Sequence, residues 1–189
     1  MEKINKIKII FGLGNPGDKY IDTPHNFGRD LLFELVQKNL IFRNNNYNLA
    51  LYKNIYLAIS NKFMNESGLV LKEIVKKIKI KNTEEILIIH DEADLPFLYL
   101  KLTFNKSSSM HKGVESIYKY CGKNIWRLRI GIQDNRRKKA EELILKKLRG
   151  RKLNLWQKAK RKNEELIEFF VTKPINKVSI DKAFLLKQK

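Results

Sequence analysis

Apolar positions recur along this chain with two different periods, and the switches between them outline its elements. KIKIIFGLG (6–14) alternates and then turns wholly apolar, which predicts a strand running into a Gly-rich turn. Thr23-Pro24 is a helix-start signal, with Thr at the N-cap and Pro, whose fixed φ suits the first turn, at the first helical position. Phe27, Leu31, Leu32, Leu35, Val36 and Leu40 then fall on one helical face. YNLALY (47–52) and NIYLAIS (54–60) flank a short polar turn and predict a hairpin. A second helix is expected from about Ser67 to Ile78. EEILIIH (84–90) is β-rich and nearly all apolar, the composition of a central strand buried on both faces.

The second half is more basic. LYLKLTF (98–104) alternates as a half-buried strand does, a short helix is expected from about His111 to Tyr120, and WRLRIGI (126–132) reads as a further strand with alternating Arg. Two basic helices, at about 138–149 and 153–171, should follow, and from Thr172 to 189 the chain reads as an irregular tail. There is no internal repeat, and no linker long enough to divide the chain. Strands interleaved with helices indicate one α/β sandwich domain over residues 1–189.

Composition narrows the partners. Lys and Arg number 39 against 20 Asp and Glu, a formal charge of +19. Such a surplus attracts a polyanion, although Lys scattered over a solvated surface would give the same total. Its distribution favours a nucleic acid: RRKK (136–139), KKLRGRK (146–152) and KAKRK (158–162) cluster in the C-terminal third. A membrane-surface helix would carry a wide apolar face beside its basic one, and none stands out. No apolar run approaches a membrane span. Cys121 is the single cysteine, so an intrachain disulfide and a multi-thiolate zinc site are both excluded. MEKINKIKII alternates Lys and Ile without the continuous apolar stretch of a secretory signal, which leads us to expect a cytoplasmic protein.

Gly12-Leu13-Gly14-Asn15-Pro16-Gly17 has the G-x-G-x-x-G form of a dinucleotide loop. That loop requires a helix to start at once, with its N-terminus on the pyrophosphate. Pro16-Gly17 makes a turn instead, and the helix signal comes only at Thr23. We therefore expect no nucleotide cofactor. A better candidate for chemistry lies among polar residues at predicted element ends. His25 opens the first helix, His90 adjoins Asp91 after the apolar strand, and His111 follows strand 98–104. Strand C-terminal ends are where open α/β sheets place their ligands. His25 near Asp91 would make a base with an orienting carboxylate. Asn15 and Asn65 follow strands and can donate and accept, as water or a carbonyl requires. No Ser or Cys is an evident nucleophile, which points to direct attack by water. Each of these residues could equally be a turn, cap or strand-end residue.

FGLGNPGDKYIDTPHNFG, KFMNESG, ILIIHDEADLP and WRLRIGI occur in the order and at the spacing of bacterial-type peptidyl-tRNA hydrolases. The chain resembles that family from about residue 6 to 150, and more loosely beyond. Any one motif is weak; four in order are specific. The resemblance implies a single-domain, three-layer sandwich with a mixed, twisted central sheet, monomeric and without metal or other cofactor. It implies hydrolysis of the ester between peptide and the terminal ribose of tRNA. By the same resemblance His25 is the general base, Asp91 its partner, and Asn15 and Asn65 position water and the peptide carbonyl. Tyr20 and Met64 line the peptide channel, and Arg129 engages the tRNA 5′ phosphate. The positive charge would then hold a tRNA backbone without reading its sequence.

One stretch departs from the family. Its glycine-rich loop ends in G-H-N-G, whereas this chain has NKSSSMHKG (105–113), with Lys112 in place of the substrate-contacting Asn. Lysine donates but cannot accept, and its charge near His25 would lower the imidazole pKa. It could alternatively grip a phosphate. The second phosphate partner, often Lys, is here Thr103, with Lys101 or Lys106 available to substitute. A non-catalytic RNA-binding relative is the alternative reading, and turnover discriminates between the two.

Overall fold

The computed structural model describes residues 6–108 and 110–187. Seven strands form one sheet: β1 (Ile9–Gly12), β2 (Leu40–Arg43), β3 (Tyr47–Tyr52), β4 (Ile55–Ser60), β5 (Ile86–Pro96), β6 (Leu100–Phe104) and β7 (Trp126–Gln133). Their order across the sheet is β2-β3-β4-β1-β5-β7-β6. β1 runs parallel to both β4 and β5, and β5 parallel to β7, while β2, β3 and β6 pair antiparallel with their neighbours. The sheet is therefore mixed, with a parallel centre.

Helices cover both faces, which is why β1 and the first half of β5 are apolar at successive positions rather than at alternate ones. On one face Ile10, Leu57, Leu87, Ile89 and Leu128 pack with α1 (Phe27–Lys38), α5 (Gly150–Lys160) and α6 (Asn163–Thr172). Trp156 of α5 is fully buried and stacks on Phe27, their rings 4.0 Å apart. On the other face Ile9, Phe11, Ala58, Ile86 and Ile88 pack with α2 (Ser67–Lys77) and α3 (Lys112–Cys121). This is a three-layer α/β sandwich. Beyond Thr172 the described residues hold only two single-turn 3-10 helices, yet Ile175, Phe184 and Leu185 are buried against the first layer. Among the described residues no helix is long and apolar enough to cross a membrane.

Four local readings are corrected. Leu40 does not end the first helix: Asn39 terminates α1, its side chain donating to the Leu35 carbonyl at 2.9 Å, and Leu40 opens edge strand β2. Four alternating residues are too few to show against twelve helical ones. Pro24–Asn26 form a 3-10 turn ahead of α1, so His25 precedes the helix. β5 continues past His90 to Pro96, which makes Asp91 an interior residue, paired in register with Ile130 of β7. Its polar neighbours looked like a loop because their partners are distant in sequence. The expected basic helix at 138–149 is only the single turn α4 (Ala140–Leu143), and the one at 153–171 divides at Arg161-Lys162 into α5 and α6. After α4 the main chain bonds elsewhere. The Ile144 carbonyl accepts from His25 N–H at 2.9 Å, and Leu148 N–H donates to the Asp22 carbonyl at 3.0 Å.

Candidate active site

Backbone contacts bring the first helix onto the end of β1 and the middle of β5. Leu13 N–H donates to the Ile89 carbonyl at 3.0 Å, and Arg29 N–H to the Leu13 carbonyl at 2.8 Å. No side chain fits between them. A Cβ on Gly28 would lie 2.0 Å from the Ile89 carbonyl oxygen, and one on Gly12 would lie 2.3 Å from that of Gly28. This seating sets His25, three residues before Gly28, against Asp91, two residues after Ile89.

His25 Nδ1 lies 2.9 Å from Asp91 Oδ1, with both side chains buried. His111 Nε2 lies 2.9 Å from the same oxygen. His111 is also the N-cap of α3, its Nδ1 accepting from Val114 N–H at 3.4 Å. That contact leaves the proton of neutral His111 on Nε2, where it donates to Asp91. His25 in turn donates from Nδ1, and its Nε2 is left unprotonated to act as a base. His90, fully buried beneath them, bonds through Nδ1 to the Asp91 carbonyl oxygen at 2.6 Å.

Charge follows from this packing. Burial disfavours the His25 imidazolium, but the charge and hydrogen bond of Asp91 outweigh it, and the pKa is raised on balance; Lys112 opposes the rise. Burial alone would raise Asp91, yet the two imidazoles hold its carboxyl far below the ordinary carboxylate range. Burial drives His90 well down, helped by His111 and Arg127, so it stays neutral. The donor atoms of His25, Asp91 and His111 lie within 4.8 Å of one another, which is within the reach of a metal site. Each imidazole, however, commits an N–H to the one carboxylate oxygen, the arrangement of a proton-holding network.

Asn15 is held on three sides. Its N–H donates to Asn26 Oδ1 at 2.8 Å, its carbonyl accepts from Asn26 Nδ2 at 2.9 Å, and its Oδ1 accepts from Met64 N–H at 2.9 Å. With Oδ1 committed, Asn15 offers a ligand its NH₂ donor, which narrows the donor-and-acceptor role read from its chemistry alone. Asn65, in the 3-10 turn Met64–Glu66, is exposed.

Seven of the eight candidate residues line one cleft of about 510 Å³: Asn15, Tyr20, His25, Met64, Asn65, Asp91 and Lys112. Among the described residues Lys112 is the single Lys or Arg in that lining. Arg129 lies apart on β7, donating from Nε to Glu92 Oε2 at 2.7 Å, and Glu92 reaches the cleft. Lys101 stands directly across from Arg129 in the β6–β7 ladder, whereas Thr103 faces Arg127 and is buried. The altered loop is tied down by side chains: Arg127 Nη2 donates to the Ser107 carbonyl at 2.7 Å, and Tyr118 OH to that of Lys106 at 2.6 Å. Asn105 and Met110 are left-handed, with φ of 48° and 59°.

The role of His111 was missed in the sequence. Its signal was a third histidine in a loop, and only the topology places it on Asp91. The far wall of the cleft, formed by Ala140, Glu141, Ile144 and Leu145, carried no signal beyond basic flanks.

A family model described as peptidyl-tRNA hydrolase matches residues 9–187. The peptidyl-tRNA hydrolase of Thermodesulfovibrio yellowstonii is 38% identical over 145 residues, covering 72% of this chain and 78% of the relative. That of Aquifex aeolicus is 36% identical over 148 residues, covering 73% and 74%. The crystal structure of peptidyl-tRNA hydrolase from Acinetobacter baumannii superposes with a TM-score of 0.74 at 27% identity, over 96% of this chain and 99% of that one.

Proposed function

This chain belongs to the peptidyl-tRNA hydrolase family, and on that premise we propose how its residues divide the work of cutting the ester between peptide and tRNA. The reaction is hydrolysis, and the nucleophile is water. His25 Nε2 takes a proton from water, and the hydroxide attacks the ester carbonyl. The tetrahedral oxyanion is met by the NH₂ of Asn15, with Asn65 on the exposed side. The intermediate collapses with loss of the ribose oxygen, which receives the proton from the His25 imidazolium. A peptide carboxylate and a free tRNA end leave. No step calls for a metal or other cofactor.

Asp91 fixes the His25 tautomer and stabilises the imidazolium while it carries the proton. His111 holds Asp91 from the other side. Tyr20 and Met64 line the path of the peptide, with Lys112 a further contact to substrate at the cleft mouth. Arg129, with Lys101 beside it, forms the clamp for the tRNA 5′ phosphate. Action as a monomer is what the family resemblance implies, and a substrate made in translation supports a cytoplasmic location.

The observation that carries this reading is the 2.9 Å contact of His25 Nδ1 with buried Asp91, at the floor of an open cleft. A protein that only binds RNA has no use for an aligned base, so the non-catalytic alternative is not favoured. The test is release of the acyl group from a labelled N-blocked aminoacyl-tRNA at low salt. Release by the parent and loss in His25→Ala are expected; tRNA binding without release by the parent would overturn the reading.

A further inference from the structure

His111 reaches Asp91 from the end of a loop that joins β6 to α3. Asn105 and Met110, near the two ends of that loop, are both left-handed, a conformation that residues with a Cβ rarely adopt. Something must hold the main chain there. Tyr118 OH donates to the Lys106 carbonyl at 2.6 Å, and Arg127 Nη2 to the Ser107 carbonyl at 2.7 Å. The two anchors also meet each other, with the Arg127 guanidinium 5.8 Å from the centre of the Tyr118 ring. From there the path to the site is short. The Ser108 carbonyl accepts from His111 N–H at 3.2 Å, and the His111 carbonyl accepts from Glu115 N–H at 2.9 Å.

Arg127 is a costly residue to place here. It is 1% exposed, and its Nε and Nη1 have no hydrogen-bond partner among the described residues. Burying a cation without a counter-ion lowers stability, so packing alone would favour an apolar side chain at this position. What the guanidinium adds is a donor aimed at a main-chain carbonyl. Because Tyr118 and Arg127 both grip carbonyls, they hold the loop whatever side chains it carries. A Lys-Ser-Ser stretch, stiffer than a run of glycines, can then still deliver His111 to Asp91.

We propose that Tyr118 and Arg127 are positioning residues: through the carbonyls of Lys106 and Ser107 they fix His111, and through His111 they fix the Asp91 carboxylate that orients His25. The inference rests on the catalytic reading of the cleft. Neither residue lines that cleft, so neither touches the substrate, and their effect on the reaction passes through His111 alone.

The test uses the full chain and a double-mutant cycle with His111→Ala. Tyr118→Phe keeps the ring and removes one hydroxyl; it should lower kcat about two- to tenfold, the worth of one hydrogen bond, with KM within about twofold. In the His111→Ala background the same substitution should change kcat by less than about 1.5-fold, because the group it acts through is gone. Ser107→Ala leaves the gripped carbonyl in place and should match the parent. Equal losses in both backgrounds, or none in the parent background, would overturn the proposal. A second reading needs no turnover. The proton on His111 Nε2 should give a downfield ¹H resonance, assigned by its loss in His111→Ala. Tyr118→Phe and Arg127→Met should move or broaden it, and Ser107→Ala should leave it unchanged; a resonance unmoved in both anchor variants would overturn the proposal. Failure of the parent to release acyl group, with the resonance responding as expected, would instead count against the catalytic reading.

Discussion

The two walls of the cleft are built in opposite ways. One wall is made of the turn after β1, the middle of β5 and the start of α3. There Asn15, Asp91 and His111 are each held by two or more hydrogen bonds, and Asn15 and Asp91 are buried. The other is a single helical turn and the irregular chain after it, with Glu141 and Leu145 exposed, tied back through main-chain bonds at Ile144 and Leu148. In the proposed mechanism the first wall places a proton acceptor against water and carbonyl, and small displacements there are costly. In the same reading the second lies toward a long charged polymer, for which charge, here on the exposed Lys146 and Arg149 rather than on Glu141, matters more than the position of any one atom. Dense hydrogen bonding marks the wall proposed for the chemistry, and exposed, loosely tied chain the wall proposed for the grip.

The largest break in this contrast should come from the first wall. His25→Ala should lower kcat by ~10²–10⁴-fold, the usual worth of a positioned base, while tRNA affinity measured by filter binding stays within about twofold. A comparable loss of affinity would mean that the wall also grips. Asp91→Asn should cost on the order of 10²-fold in kcat and also move the pH profile. Asp91 raises the pKa of His25, so without its charge the acid limb of kcat/KM should shift to lower pH. A limb that stays in place would show that His25 is not the group titrating.

Smaller effects sharpen the comparison. Lys112 opposes the His25 rise, so Lys112→Asn should shift the acid limb the other way, to higher pH, by less than about one unit. Opposite shifts in the two variants are the signature; shifts of the same sign would refute the electrostatic account. The last prediction concerns the loop on which the second wall is anchored. Asp30 is pushed up to about 6, chiefly by burial, against a hydrogen bond from Asp22 N–H and the charge of Lys160. A carboxyl whose folded pKa is raised makes the fold less stable as pH climbs from about 4 through 6. Asp30→Asn, which can still accept from Asp22 N–H, should therefore raise Tm by a few degrees above about pH 6.5, on the order of 1 kcal/mol, with little gain near pH 4.5. A gain independent of pH would remove Asp30 as its cause.

Legibility in the sequence follows the same division. β1, α1, the β3–β4 hairpin, α2 and β7 were plain because each buries a face of fixed period, and Asn15 and His25 could be picked out because they stand close to the ends of such elements; Asp91 was picked out as a strand-end residue although it lies inside β5. His111 was visible only as a polar loop residue, since its tie to Asp91 spans 20 positions and depends on strand order. The region 138–171 was misread as two long helices because a run of Lys and Arg has helical propensity at every position, whether or not a helix forms. What ends α4 is a pair of carbonyl and amide partners more than a hundred residues earlier, and no local pattern records them. Arg129 was named from the family resemblance, but its pairing with Glu92 was not foreseen, because β5 was read as ending at His90.

The bare backbone at Gly28 has a consequence for how this protein can change. The first helix can be rewritten along its outer side, where Phe33, Glu34 and Lys38 face solvent, with small effect on anything that matters. At its foot one methyl group is too much. Alanine at Gly28 would have to push the whole helix off the Ile89 carbonyl, carrying His25 away from Asp91 with it. A substitution that looks conservative on paper, and touches no substrate, would then be a mutation of the proposed catalytic pair. Heritable variation in this helix is thus confined to one face, by a contact in which no side chain takes part.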